Sequence, residues 1–253
     1  MSDLFITMPV VAAFAVSLLL LAWISRQLSL HIQLLLHLIT RSSDLTIILL
    51  FLLLLPGIVL HEAAHWIAAY LLGLKPSKFR VWPKKQRQHI GLGSVSVRGG
   101  RLWQESIVGV APLIAGSILI AFIAEHIFNA QQFSLALGEQ RWLESVAVFQ
   151  RALLAPDGIL WAYLLFTIAN AMMPSASDRE PLHPLLLATV LVLGLYLLLG
   201  LPVAPFTLLL NWLAPILQNI THAFIFTIAL DMVTLAFTYL VIKLIAPQPL
   251  SAK

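Results

Sequence analysis

Leu45-Thr46-Ile47-Ile48-Leu49-Leu50-Phe51-Leu52-Leu53-Leu54-Leu55-Pro56-Gly57-Ile58-Val59-Leu60-His61-Glu62-Ala63-Ala64-His65 is the stretch that decides the fold. Up to Leu60 it is apolar except for Thr46, and it continues apolar to about Leu74, which is long enough for a membrane-spanning helix. Its second half carries an H-E-x-x-H motif. On a helix, residues i and i+4 share a face, so His61 and His65 can offer their imidazoles to one metal ion. Glu62 stands beside them and can handle the proton of a water activated by that metal. Ionisable side chains at membrane depth are costly, so three in one turn read as a functional site. Pro56 and Gly57, about one turn earlier, are expected to kink the helix and open its backbone.

Composition agrees with a membrane location. Hydrophobic residues make up 60% of the 253-residue chain and charged residues only 10%, where a soluble domain carries about a quarter charged. There is no cysteine, so disulfides and thiolate ligands are excluded and a metal would depend on His, Asp and Glu. The net charge of +4 does not point to nucleic acid, because the basic residues gather in one loop beside the spans.

Working outward, 4–24 reads as a first span, retained rather than cleaved because Asp3 is the only charge before it. In 25–44, Arg26, Ser29, Gln33, His37, Thr40 and Arg41 recur at helical spacing, which predicts a separate interfacial helix with His31 and His37 as interfacial polar residues. The segment 75–101 holds eight of the fifteen Lys and Arg residues and no acid, which places it in the cytoplasm. Within it 79–82 and 93–98 alternate like strands between glycines, predicting a small β-hairpin. A third span covers 106–128, with Gly109, Pro112 and Gly116 allowing close packing. Glu125 and His126 lie near its far end and read as interfacial, and 129–157 contains a short surface helix. Further spans are expected at 159–173, 185–201 and 221–245, with 202–220 re-entrant or interfacial because of Pro202, Pro205, Asn211 and Pro215. The expected fold is thus an all-α polytopic membrane protein of about six transmembrane helices with a small β-hairpin after the HExxH helix. It forms a single domain over 1–253 with a core at about 45–180 and no soluble accessory domain. Six spans put both termini in the cytoplasm.

A catalytic zinc usually has three protein ligands, so one more is needed. Asp178, Glu180, His183, His222 and Asp231 are the candidates. The fourth span ends on the same side as the motif, which favours Asp178, although Asp178 also suits a helix cap with Ser175 or Ser177. Asp231, an acid inside a span, reads equally as a buried structural hydrogen bond or as an alternative ligand.

His61-Glu62-x-x-His65 in a membrane helix, followed by Asn170, Pro174 and Asp178, resembles the site-2 protease family of intramembrane zinc metalloproteases. The resemblance covers about 45–180. Its usual Asp-Gly pair is Asp178-Arg179 here, Pro174 lies one residue late, and Gly109-Val-Ala-Pro112 lacks the family's following Asn. The resemblance implies one zinc per chain bound by His61, His65 and Asp178, Glu62 as general base and acid, and Asn170 holding the substrate or the loop. It implies a substrate that is a membrane protein with a transmembrane segment, cleaved near the cytoplasmic side, with the lipid bilayer as the other partner and no nucleic acid. An unwound substrate could be held by strand addition at Ser94, Val95, Ser96 and Val97. The expected location is the cell membrane. Alternatives are a zinc protease of the HtpX or CAAX-processing type, and a non-enzymatic metal-binding or transport protein using intramembrane His and Asp.

Overall fold

The computed structural model describes residues 2–76, 84–85, 90–91, 97–98 and 100–246. Helix α1 covers Ser2–Thr40 and α2 covers Ser43–Leu71. After the basic loop come α3 (Leu102–Phe128), α4 (Ala130–Gly138), α5 (Trp142–Leu154) and α6 (Gly158–Ala171). The short α7 (Ala176–Arg179), then α8 (Leu182–Leu198) and α9 (Ala204–Ile245) complete the chain. Among the described residues five helical stretches are long and apolar enough to cross a membrane, with α7 and α8 counted together, and six are if the bent pair α5–α6 counts as one span. The chain therefore has the make-up of a multi-pass membrane protein.

Each boundary near the motif has a local cause. Arg41 adopts a left-handed conformation (φ 51°), and Ser42 caps α2 by accepting the Leu45 N–H, so α1 turns into α2 within two residues. Gly73, at φ 73°, ends α2 in a Schellman arrangement. Its N–H bonds the Tyr70 carbonyl while the Leu74 N–H reaches back to Ala69. The Gln104 side chain accepts the Arg101 N–H and donates to the Leu72 carbonyl, which ties the start of α3 to the end of α2.

Three helices form the frame of the site. α2 and α3 run antiparallel, with His65 beside Val108 and Leu72 beside Gln104. α2 and α6 run parallel: Tyr163 donates to Leu53 and His61 to Ala171, so the pairing keeps step along both helices. Small residues let them close. A Cβ on Gly57 would collide with the Thr167 carbonyl of α6, and one on Gly116 would stand 2.6 Å from the Met172 Cβ. α6 has only 14 residues, about 21 Å at 1.5 Å per residue, which is short of the apolar thickness of a bilayer. It meets α5 at a 102° bend.

Several expectations need correction. No separate interfacial helix follows the first span: α1 continues unbroken to Thr40, because no Pro or Gly interrupts 10–40. The segment 202–220 is not re-entrant. Pro205 sits in the first turn of α9, where its missing N–H costs nothing, and the helix passes through Pro215. The expected hairpin is not supported: Lys75–Pro76 pairs with Val97–Arg98 and Lys84–Lys85 with Ile90–Gly91, two residues at a time, and 79–82 and 93–96 lie outside the described residues. The placement of both termini on one face is not supported either. α1 and α9 lie side by side in the same direction, with Phe14 stacked on Phe224, Ser25 bonded to Asp231 and His31 against Tyr239. Simple alternation through six spans would run them opposite.

Candidate metal centre

The structure brings His61, His65 and Asp178 together, with one ligand atom from each within 4.8 Å of the others. Two come from α2, one turn apart. The third comes from α7, more than a hundred residues later. The side chains of His61, His65 and Asp178 are 13%, 7% and 15% exposed, so the cluster is sheltered but reachable. Glu62 is buried beside them, one residue from His61 and three from His65.

The orientation of each imidazole follows from a backbone carbonyl that its own helix leaves unused. His65 Nδ1 lies 2.8 Å from the Val108 carbonyl oxygen. In α3 that carbonyl would ordinarily accept the N–H of residue 112, but residue 112 is proline and has none. His61 Nδ1 lies 2.7 Å from the carbonyl oxygen of Ala171, the last residue of α6. The N–H that would have continued α6 onto that carbonyl belongs to Ser175, and it donates instead to Asp178 Oδ2 at 2.7 Å. The unwound end of α6 thus supplies an acceptor to one candidate ligand and a donor to another.

A carbonyl oxygen only accepts, so both Nδ1 atoms carry a hydrogen, and each imidazole in its neutral form presents a lone pair at Nε2. Those two Nε2 atoms face each other at 3.0 Å. Asp178 adds its carboxylate, Oδ1 at 3.3 Å from His65 Nε2 and Oδ2 at 3.7 Å from His61 Nε2. Two nitrogen lone pairs and a carboxylate converging on one point repel unless a positive centre, a proton or a metal ion, lies among them. Nitrogen and oxygen ligands about 2.0–2.1 Å from a tetrahedral ion stand about 3.3 Å apart, and the separations here, 3.0, 3.3 and 3.7 Å, fall on either side of that spacing. The donor set therefore fits a borderline divalent metal ion, with N–H···O=C bonds behind both imidazoles of the kind that fix metal-ligating histidines.

Asp178 is held in place from two sides. It is the acidic member of a capping box, its Oδ2 taking the Ser175 N–H while the Ser175 hydroxyl accepts the Asp178 N–H at 3.4 Å. The helix-cap and ligand readings of this residue are compatible: one carboxylate meets both. α7 docks on α3 at Gly109, where any Cβ would collide with the Asp178 carbonyl. The Ser106 hydroxyl, which donates to the Leu102 carbonyl, also lies 2.9 Å from the Pro181 carbonyl oxygen just beyond α7.

The other candidates lie elsewhere. Among the described residues no second group of three possible ligands forms, and Glu180, His183, His222 and Asp231 stand outside this one. His31 spends its Nδ1 on the Gln27 carbonyl of its own helix, and His37 lines a cleft of about 490 Å³ between α1 and α2. Asn170 turns its amide away from the cluster: Nδ2 donates to the Phe166 carbonyl at 2.9 Å and faces both Asp231 carboxylate oxygens, at 3.3 and 3.4 Å. Ser94, Val95 and Ser96 lie outside the described residues, and only the backbone pairing of Val97 with Pro76 is described. Sequence reasoning missed Val108 and Ala171, whereas Ser175 reads from the sequence as a cap partner of Asp178. Pro112 was the available signal for Val108, because a proline marks the carbonyl four residues before it as free, whereas Pro174 marks the Asn170 carbonyl and gave no signal for Ala171.

Comparison of the chain with protein-family models, with curated proteins and with solved structures finds no significant match.

Proposed function

We propose that this chain is a zinc-dependent intramembrane endopeptidase of the site-2 protease type. The observation that carries the reading is the convergence of two Nε2 lone pairs and one carboxylate beside a buried glutamate on a membrane-length helix. A site for metal binding or transport alone has no need of a carboxylic acid interleaved between its two histidine ligands. A hydrolase does.

His61, His65 and Asp178 would hold the ion and leave it open to water or substrate. A zinc ion there supplies Lewis acidity, making a water acidic near neutral pH and polarising a peptide carbonyl. Glu62 would take a proton from the attacking water as the water oxygen bonds to the carbonyl carbon. Glu62 would then hand the proton to the amide nitrogen as the C–N bond breaks, giving a carboxylic acid and an amine. The helix surroundings hold Glu62 close to His65, and burial keeps bulk water from competing for its proton.

The substrate class is a membrane protein with a transmembrane segment. His65 lies six residues before the end of α2, about 9 Å along the axis, and the basic segment 75–101 begins just past that end. With that segment cytoplasmic, cleavage falls near the cytoplasmic side of a cell membrane. A helix hides its peptide bonds, so the substrate has to enter unwound.

The test is Glu62→Gln in purified protein. Zinc content should stay at one per chain while cleavage of a model single-span substrate is lost. Retained cleavage would refute the enzymatic role of Glu62, and wild-type protein that binds zinc but cleaves no membrane protein would favour the metal-binding alternative.

A further inference from the structure

Asp231 is the one carboxylate on α9, and it is fully buried, at 0% exposure, about two thirds of the way along the helix. A carboxyl group at such depth is costly, and a hydrogen bond between helices could be made by a neutral side chain. Its partners among the described residues are two. Asn170 on α6 points Nδ2 at both carboxylate oxygens, and the Ser25 hydroxyl on α1 donates to Oδ2 at 3.4 Å. Three helices therefore meet at this acid.

The place where they meet is what gives the contact a consequence. Asn170 sits in the last turn of α6, next to Ala171, whose carbonyl orients His61. That last turn has lost the support of the chain beyond it, because Pro174 lacks an N–H and Ser175 gives its own to Asp178. The end of α6 is held instead from the side. Asn170 also bonds the Phe166 carbonyl one turn back, so its amide is fixed to its own helix while it reaches α9. The amide hydrogens are used in this way and are not left for a substrate.

We propose that Asp231 is a positioning residue for the metal centre. Through Asn170 it holds the last turn of α6, and with it the Ala171 carbonyl that fixes the His61 ring. Ser25 extends the same hold to α1. The metal-affinity part of the proposal rests on the zinc reading above; the hold on the His61 ring does not.

The experiment compares wild type, Asp231→Leu and Asp231→Asn as full chains in detergent micelles, with two readouts. One is the ring-nitrogen spectrum of ¹⁵N-histidine-labelled, metal-free protein, with His61 assigned by its loss in His61→Gln. The other is zinc affinity measured by competition with a chelator. Leucine suits a membrane helix and cannot bond Asn170. In Asp231→Leu the His61 ring should lose its single Nδ1–H form and zinc affinity should fall about tenfold, the lower end of what the loss of an outer hydrogen bond costs a metal site. Asp231→Asn keeps an acceptor for Asn170 and should keep the His61 spectrum, with affinity within about twofold of wild type. Should Asp231→Leu not fold, Asp231→Ser, too short to reach Asn170, takes its place with the same expectations. An unchanged His61 spectrum and zinc affinity in the folded variant would overturn the proposal. If wild type binds no zinc but the His61 ring still changes in Asp231→Leu, the zinc reading fails and the positioning role stands.

Discussion

A histidine with a fixed tautomer is a directed lone pair, and His61 and His65 are each directed by one backbone carbonyl. The ligands themselves should be unforgiving. His65→Ala removes one nitrogen donor and should lower zinc content well below one per chain, and the double variant His61→Ala/His65→Ala should contain none by metal analysis. Stoichiometric zinc in the double variant would place the metal elsewhere. Asp178→Asn keeps size and the cap but removes the charge that helps hold a dication, so zinc affinity should fall at least about tenfold and cleavage should be lost. Asp231→Asn, measured beside it, should keep zinc and most activity. The reverse pattern would make Asp231 the third ligand.

The helices place these residues by giving up parts of their own hydrogen bonding. Pro112 is an interior proline of α3, a position that costs a helix about 3 kcal/mol relative to alanine. Here the freed Val108 carbonyl has a use. Pro112→Ala restores an N–H that competes with His65 for that carbonyl. The variant should be at least as stable to heat as wild type, yet bind zinc several-fold more weakly. Zinc affinity unchanged in Pro112→Ala would show that the Val108 carbonyl does not hold His65. Gly109 is the matching case for Asp178: no Cβ fits against the α7 backbone there. Gly109→Val should push α7 off α3 and abolish zinc binding, while Gly194→Val, on exposed α8 with open space around it, should leave both zinc and cleavage intact. Zinc retained in Gly109→Val would mean that α7 need not touch α3.

At the scale of the whole molecule, the frame α2–α3–α6 obeys the alternation expected of successive spans, and the long pair α1 and α9 does not. α1 parts from α2 soon after their turn, leaving the cleft that His37 lines, and lies along α9 instead. α8 carries no buried residue, so its apolar surface faces outward along its whole length. The side on which the basic segment lies is a separate question that charge decides. With eight basic residues and no acid, 75–101 should be cytoplasmic. The chain has no native cysteine, so a single Ser94→Cys should resist an impermeant thiol reagent outside intact cells and react once the cells are opened. Strong labelling from outside would turn the molecule over in the membrane.

The sequence by itself determined the class of the protein and half of its candidate centre. Apolar runs of membrane length can satisfy their backbone only as helices, and the spacing of four between His61 and His65 is local to one helix face. Local periodicity also misjudged two places. Polar residues at 25–44 and prolines at 202–220 suggested breaks, but a helix tolerates polar residues along one stripe and proline in its first turn, and 25–40 and 204–220 are continuous helix. The order of spans already favoured Asp178 over Asp231, since the fourth span ends on the motif's side, but only the tertiary structure brings Asp178 to the two histidines and leaves Asp231 outside the group. Asp178 reaches it because Gly109 lets α7 lie against α3 and because Ser175 turns the carboxylate inward. Asp231 is drawn to Asn170 and Ser25 instead. Contacts between residues so far apart in the chain depend on how whole helices pack, and no short stretch of sequence encodes that packing.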